Sequence, residues 1–261
     1  MGLVLNPLRS KLSLDGSNPT AFALATPAAL TLDRAAMTRH FDHQIEGLKE
    51  KILNVGALVE EAIANAISAL VERDRDAASA VIDKEDEIDR KEVDVEEEVL
   101  KILALYQPVA ADLRFVVAIL KINNDLERMG DLAANIARRV VDLSTAQRAP
   151  LPIDFRAMSE KAQAMARQSL DALVNSDAEL ARQVRESAKE IKKMRRKIQV
   201  EIEELIAARP EETDFFMSLL SIARHLGRLA EMASNVAEEV IYMVNGEIVR
   251  HSRSVEDEAK A

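Results

Sequence analysis

The sequence contains one pattern twice, and this duplication constrains the fold more than any other feature. Residues 126–137 match residues 226–237 at an offset of 100, and residues 69–74 match residues 172–177 at an offset of 103. Two pairs of matched segments at nearly the same offset indicate that a unit of about 100 residues is repeated in tandem. The chain is therefore predicted to consist of two copies of one structural unit.

Each copy is predicted to contain three helices. In the first copy, apolar residues recur at steps of three and four, as on the buried face of a helix: Ile45, Leu48, Ile52, Val55, Val59, Ile63, Ile67 and Leu70. Asp74 and Asp177 are good N-caps for the second helix of each copy. Pro108 and Pro210 end those helices, and Pro108 suits the first turn of the next one. After the first helix, the pattern predicts helices over 77–105, 108–143, 155–174, 178–208 and 211–246. The predicted fold is all-α, with two tandem three-helix bundles and six long helices.

The domain boundaries follow from the same pattern. Residues 39–143 form the first bundle and residues 153–247 the second, and the polar, proline-containing segment 144–152 links them. Residues 1–38 are predicted to be a disordered leader or a mis-assigned start, with Met37 as the true initiator. The segment lacks a convincing secretory signal. Residues 248–261 are predicted to form a charged tail.

Composition excludes several classes of protein. Only 3% of the residues are aromatic and there are 7 Gly and 7 Pro, which argues against strands and favours long helices. The absence of Cys excludes disulfides, Cys-ligated zinc and a thiol nucleophile. A net charge of −10 argues against nucleic acid as a partner. No run of about 18 apolar residues occurs, so no transmembrane helix is expected.

Two pairs of acidic residues are candidate metal ligands. Glu85 and Asp89 lie four residues apart in the second helix, and Glu127 and Asp131 lie four apart in the third, so each pair shares a helix face. If the two pairs faced each other, their repulsion would favour a bound cation, and oxygen ligands prefer hard ions. The alternative is ordinary surface charge, because 45 acidic residues give roughly eight such pairs by chance. Gly130 favours the metal hypothesis, because a mid-helix Gly costs about 1 kcal/mol and indicates a close backbone approach.

Other chemistries find no support in the sequence. A ferritin-like di-iron site needs a Glu-x-x-His motif on each of two helices, and none of the four His residues follows a Glu by three. There is no glycine-rich phosphate loop and no plausible Ser-His-Asp set. We therefore assign no catalytic residue and no organic cofactor, and we interpret the protein as a non-enzyme.

Three segments resemble the PhoU family. These are Gln-Pro-x-Ala-x-Asp-Leu-Arg over 107–114, Leu-Glu-Arg-x-Gly-Asp over 126–131, and residues 239–246 at the end of the last helix. The resemblance covers about residues 39–247 in two tandem copies. It implies a six-helix fold and a cytoplasmic regulator of phosphate homeostasis. Such a regulator restrains phosphate uptake by the high-affinity transporter and starvation signalling through a membrane-bound histidine kinase.

The resemblance also implies metal-binding motifs, which map onto Glu85, Asp89, Glu127 and Asp131. The expected ion is Mg, Mn, Fe or Zn, with iron or Mg/Mn favoured by the hard ligands. The expected partners are the membrane-bound phosphate transporter, the sensor histidine kinase and a second copy of the chain in a homodimer.

The second copy departs from this pattern. Ala188 and Lys192 stand in the places of Glu85 and Asp89, and Gly227, Ala230 and Glu231 in those of Glu127, Gly130 and Asp131. Residues 74–104 hold 12 acids and 5 bases, whereas residues 177–207 hold 7 acids and 8 bases. A cation would not settle among those bases. The basic run 192–197 is predicted either to contact an anionic partner or the membrane surface, or to be a solvated helix face.

Two other functional hypotheses remain open at this point. One is a metal-dependent enzyme that uses the acidic cluster, which would require an open coordination position and a substrate pocket. The other is a purely structural helical protein, which the proline breaks and short helices disfavour, because coiled coils need several unbroken heptads.

Overall fold

The computed structural model describes the backbone of residues 27–146 and 151–249, and the side chains of 39–143 and 151–249. The chain divides into a segment, 1–42, and a body, 43–261. The predicted leader lies largely outside the described residues, and so does nearly all of the predicted tail. The described backbone begins with the first turns of a helix at Pro27.

Every long element in the described residues is a helix, and the predicted all-α fold of six long helices is confirmed. The second helix is interrupted at Lys84, but the φ of −88° and ψ of −7° there remain in the helical region, so its two parts follow one path. A single 3₁₀ turn, Pro210–Glu212, precedes the last helix. The helices are α1 (Pro27–Glu72), α2 (Arg75–Asp83), α3 (Glu85–Tyr106), α4 (Ala110–Ala146), α5 (Arg156–Asn175), α6 (Ala178–Ala208) and α7 (Thr213–Asn245).

The two predicted N-caps are confirmed, and their geometry repeats. The Asp74 side chain accepts hydrogen bonds from the backbone N–H groups of residues 76 and 77, at 2.9 and 3.0 Å. Asp177 accepts the equivalent pair from residues 179 and 180, also at 2.9 and 3.0 Å. The residue before each cap, Arg73 or Ser176, has a positive φ, which ends the preceding helix. A shared local structure at an offset of 103 supports the duplication.

The prediction that α4 starts at Pro108 is wrong by two residues. Gln107 and Ala110 both adopt left-handed conformations, with φ of +47° and +50°, and α4 begins only at Ala110. The ring of Pro108 disfavours the helical conformation in the residue before it, so the chain turns there before the helix can form.

The two bundles pack together through their third helices, α4 and α7, which contact each other extensively. Buried alanines, such as Ala133, Ala137, Ala233 and Ala237, lie along these two helices. The first helices also meet: a Cβ added to Gly56 of α1 would lie 2.9 Å from Leu170 of α5. The body therefore holds its two repeats together through like pairs of helices.

One segment within Arg39–Glu72 is long and apolar enough to cross a membrane by length and composition. Half of that window is buried inside the protein, as expected for the core helix of a bundle, so the match is weak support for a membrane span.

Candidate metal centre

Three carboxylates from neighbouring helices converge in the first bundle. Asp89 is on α3, and Glu127 and Asp131 occupy successive turns of α4. One ligand atom from each lies within 4.8 Å of the other two. This is the meeting of the two acidic pairs on which the metal hypothesis depends, and it brings together three of the four predicted ligands.

Gly130 allows the two helices to approach. A Cβ built on Gly130 would lie 3.0 Å from Cδ1 and 3.2 Å from Cγ2 of Ile88, whose side chain is buried. The predicted close approach at Gly130 is therefore confirmed. Because Ile88 immediately precedes Asp89, the contact that needs the glycine also fixes the distance between Asp89 and the acids of α4.

Electrostatics in the cluster favour a proton or a cation. Burial, followed by the nearby charges of Asp131 and Asp89, raises the pKa of Glu127 to about 7. Burial and the charges of Glu85 and Asp89 also raise the pKa of Asp131. The pKa of Asp89 is raised by burial and by Glu85. Three carboxyls that resist ionisation together are stabilised as anions when a cation lies among them.

Glu85, the fourth predicted ligand, lies beside the cluster and not in it. Its carboxylate forms an ion pair with Arg138 of α4, which also donates a hydrogen bond to Asn135 at 3.2 Å. Glu85 is nevertheless close enough to raise the pKa values of Asp89 and Asp131. The structure thus places Glu85 next to the three converging carboxylates, in the role of a neighbouring charge.

Sequence reasoning did not identify Glu92 and Asn123. The fully buried amide of Asn123 donates hydrogen bonds to the backbone oxygen of Glu92 at 2.9 Å and to its Oε1 at 3.2 Å. Burial, then the charges of Glu96 and Asp89, raises the pKa of Glu92. The available signal was the position of Glu92, one turn after Asp89, and an Asn on the apolar face of α4 one turn before Glu127.

The donor set fits a hard cation. Three carboxylates within 4.8 Å can reach a common ion with small side-chain rotations, because oxygen–metal bonds of about 2.0–2.6 Å suit Mg, Mn and Ca. Glu92 adds a further carboxylate one helical turn away. Asp89 is exposed, so water can complete the coordination.

The equivalent place in the second bundle does not repeat this chemistry. Lys192 stands for Asp89 and Gly227 for Glu127, and of the three counterparts only Glu231 is acidic. Within the described ranges, the first-bundle cluster is the one group of three acidic or His side chains with suitable spacing. The second copy, which has lost two of the three acidic residues, therefore lacks the carboxylate cluster of the first.

The sequence profile of the PhoU domain matches the chain twice, over residues 52–140 and 155–240. The chain belongs to the PhoU family. Both matches fall within the two helical repeats, and together they cover more than half of the chain.

Curated PhoU relatives match most of the chain. A Phosphate-specific transport system accessory protein PhoU homolog of Pseudomonas putida is 33% identical over 228 residues, covering 84% of this chain and 88% of the relative. The Aquifex aeolicus homologue of the same description is 38% identical over 210 residues, covering 80% and 94%.

Solved PhoU structures share the fold. The crystal structure of PhoU from Pseudomonas aeruginosa matches with a TM-score of 0.77 and 32% identity, covering 79% of this chain and all of that one. The phosphate transport system regulatory protein PhoU from Streptococcus pneumoniae matches with a TM-score of 0.72 and 30% identity, over 80% of this chain and 99% of that one.

Proposed function

We propose that this protein is a cytoplasmic regulator of phosphate homeostasis that restrains both phosphate uptake and phosphate-starvation signalling. The observation that carries the proposal is the match of both repeats to the PhoU domain, together with relatives that are described as accessory proteins of the phosphate-specific transport system. Its targets are the membrane-bound phosphate transporter and a sensor histidine kinase. It acts by binding these partners and not by catalysis.

The acidic cluster of the first bundle is proposed to hold a metal ion. Asp89, Glu127 and Asp131 are the ligands, Glu85 and Glu92 add negative charge, and iron or Mg/Mn suits the oxygen donors. The convergence of the three carboxylates within 4.8 Å and the raised pKa values support this assignment. A bound ion would tie α3 to α4 and fix the acidic face of the first bundle.

The protein is also proposed to form a homodimer and to contact the membrane surface peripherally. Apolar side chains exposed around the α3–α4 connection, Leu105 and Val109 among them, support an association surface at that end of the first bundle. The exposed bases Lys193, Arg196 and Lys197 on α6 support contact with an anionic surface. The mass of the purified protein in solution tests whether it forms a homodimer.

Deletion of the gene tests the regulatory proposal. The deletion strain is expected to express phosphate-starvation genes and to take up phosphate even in phosphate-rich medium, and the wild-type gene in trans should restore repression. A strain carrying the Glu127→Ala/Asp131→Ala variant separates the role of the metal site from that of the fold. Normal regulation of phosphate genes in the deletion strain would refute the proposal.

A further inference from the structure

The second bundle has a pocket at the place that corresponds to the acidic cluster, and its charges are inverted. With the offset of 103, Asp89 and Glu92 correspond to Lys192 and Arg195 of α6. With the offset of 100, Glu127 corresponds to Gly227 of α7. The buried Asn123 that holds Glu92 also has no counterpart, because residue 223 is Ala. The replacements change one site together and are not scattered over the bundle.

The pocket lies between α6 and α7 and has a volume of about 510 Å³. Its polar lining comprises Lys192, Arg195, Glu231, Ser234, Asn235 and Glu238. This volume falls within the range of small-molecule sites, about 300–1,000 Å³. The pocket therefore has room for a phosphate group and for a small organic group attached to it.

Gly227 allows Arg195 to lie across α7. A Cβ on Gly227 would lie 2.9 Å from Cδ of Arg195, so any other residue at 227 would push the arginine stem away. The first bundle has Glu127 at this position, which supplies a carboxylate where the second bundle supplies space for a guanidinium. Gly227 therefore leaves the space in which the Arg195 stem lies beside the pocket.

The charge balance of the pocket is positive. Glu238 is neutralised by Arg185, whose Nε donates to Glu238 Oε1 at 3.1 Å. Glu231 opposes one of the two remaining bases, Lys192 and Arg195, which leaves one excess positive charge. Within the part of the chain that the structure describes, neither of these two bases has an ion-pair partner.

The donors suit a tetrahedral oxyanion. Arg195 presents a planar fork of N–H groups and Lys192 a compact ammonium, the two groups that proteins use most to bind phosphate. Ser234 adds a hydroxyl donor where the first bundle has an alanine. We infer that this pocket between α6 and α7 binds a phosphate-type oxyanion, through Lys192, Arg195 and Ser234. The inference does not depend on the regulatory proposal or on metal in the first bundle.

Binding is tested on the full chain with inorganic phosphate as the probe, by isothermal titration calorimetry and by phosphorus NMR line width. A second arm uses glycerol 3-phosphate, and a third uses sulfate. Tighter binding of inorganic phosphate identifies the free ion as the preferred ligand, whereas tighter binding of glycerol 3-phosphate identifies a phosphate monoester. Absence of binding in the first two arms would overturn the inference.

Three variants decide whether the pocket is the site. Lys192→Gln/Arg195→Gln should weaken binding at least about tenfold, because it removes two charged hydrogen-bond donors to the anion. The matched control, Lys193→Gln/Arg196→Gln, removes the same charge from the outer face of α6 and should change binding less than about twofold. Equal losses of phosphate affinity in the two double variants would mean that the general positive charge of α6 attracts the anion. That result would refute binding in the pocket.

Glu231→Gln is expected to change the phosphate affinity in the opposite direction from Lys192→Gln/Arg195→Gln. It removes the one carboxylate of the pocket that Arg185 does not neutralise and should tighten phosphate binding, whereas weaker binding would overturn the inference. All variants are repeated in the Glu127→Ala/Asp131→Ala background. Retention of the same affinities there shows that the phosphate is not bound to metal in the first bundle. Because Lys192, Arg195 and Glu231 are exposed, the variants should keep the wild-type melting temperature.

Discussion

Ile88 of α3 packs directly against Gly130 of α4, with its Cδ1 3.0 Å from where a Cβ would stand. The contact joins the two helices that carry the carboxylate cluster, and Ile88 has little freedom to move because it is buried. A side chain at residue 130 therefore separates α3 from α4 at the level of Asp89.

Gly130→Ala is expected to lower the free energy of unfolding by about 1 kcal/mol, because crowding of about 1–3 kcal/mol exceeds the gain of about 1 kcal/mol in helix propensity. Gly47→Ala is the matched control, because nothing lies within 4 Å of a Cβ at that position. It should raise the free energy of unfolding by up to about 1 kcal/mol. Chemical denaturation measures both, and a stabilised Gly130→Ala variant would contradict the close packing.

Metal binding should be confined to the first bundle. Glu127→Ala and Asp131→Ala each remove one of the three converging carboxylates and should lower the bound metal measured by elemental analysis of the purified protein. Glu231→Ala removes the counterpart of Asp131 in the second bundle, where Lys192 opposes a cation, and should leave the metal content unchanged. Undiminished metal in the Glu127→Ala/Asp131→Ala double variant would exclude these residues from the site.

The helices and their caps could be predicted because their signals are local. Asp74 and Asp177 precede apolar periodic segments, and a cap needs only its own side chain and the next three N–H groups. Gly130 was also informative, because a glycine inside a long helix has a cost that packing must offset. By contrast, the start of α4 depends on how Gln107 turns before Pro108, and the helical pattern does not report that conformation.

The side-chain contacts within the site could not be predicted as well as the helices and their caps. The spacing of Glu85 and Asp89 places both on one face of the second helix, but it does not specify which of them reaches α4. Arg138, seven residues after Asp131, engages Glu85, and the register of α3 against α4 decides this. The support of Glu92 by Asn123 joins residues 31 apart in sequence, so it became visible only in three dimensions.

The metal-free protein should lose stability as the pH rises from about 4.5 to about 7. The pKa of Glu127 is about 7 in the folded state against an ordinary value of 4.5, so between these values the folded state binds more protons than the unfolded state. The free energy of unfolding then falls with rising pH and levels off above about pH 7. Denaturation at several pH values checks this, and Glu127→Gln should give a flatter profile than the wild type.

A metal ion should reverse this dependence. The ion competes with the proton on Glu127, so binding should weaken as the pH falls below about 7 and should release a proton. Titration with Mn²⁺ in two buffers of different ionisation enthalpy measures the proton release. A Glu127→Gln profile parallel to that of the wild type, together with no proton release, would contradict the assignment of Glu127.

Lys121 and Glu239 should couple the two bundles. Lys121 of α4 lies 3.3 Å from Glu239 of α7, whose side chain is only 5% exposed, and it also lies over the ring of Tyr242. Lys121→Met removes the partner of a buried carboxylate. Because Lys121 itself is 36% exposed, the loss should destabilise the protein by about 1–3 kcal/mol, less than for a fully buried pair. Lys121→Met/Glu239→Gln should cost less than the sum of the single variants in denaturation experiments. Additive effects would show that the pair is not coupled.

The outer face of α6 should bind anionic surfaces in a salt-dependent manner. Lys193, Arg196 and Lys197 are exposed and follow one another at helical spacing on this face. Each basic residue near an anionic bilayer contributes about 1 kcal/mol, and this attraction is screened within about 10 Å at 0.1 M salt. Replacing all three by Gln should therefore weaken binding to phosphatidylglycerol vesicles by about a hundredfold at low salt and by much less at high salt. Vesicle co-sedimentation measures this.

The control variant, Lys84→Gln/Lys91→Gln on the acidic first bundle, should bind nearly as the wild type does. Equal binding by the wild type and the triple variant at low salt would mean that this face is an ordinary solvent-exposed surface and does not bind membranes.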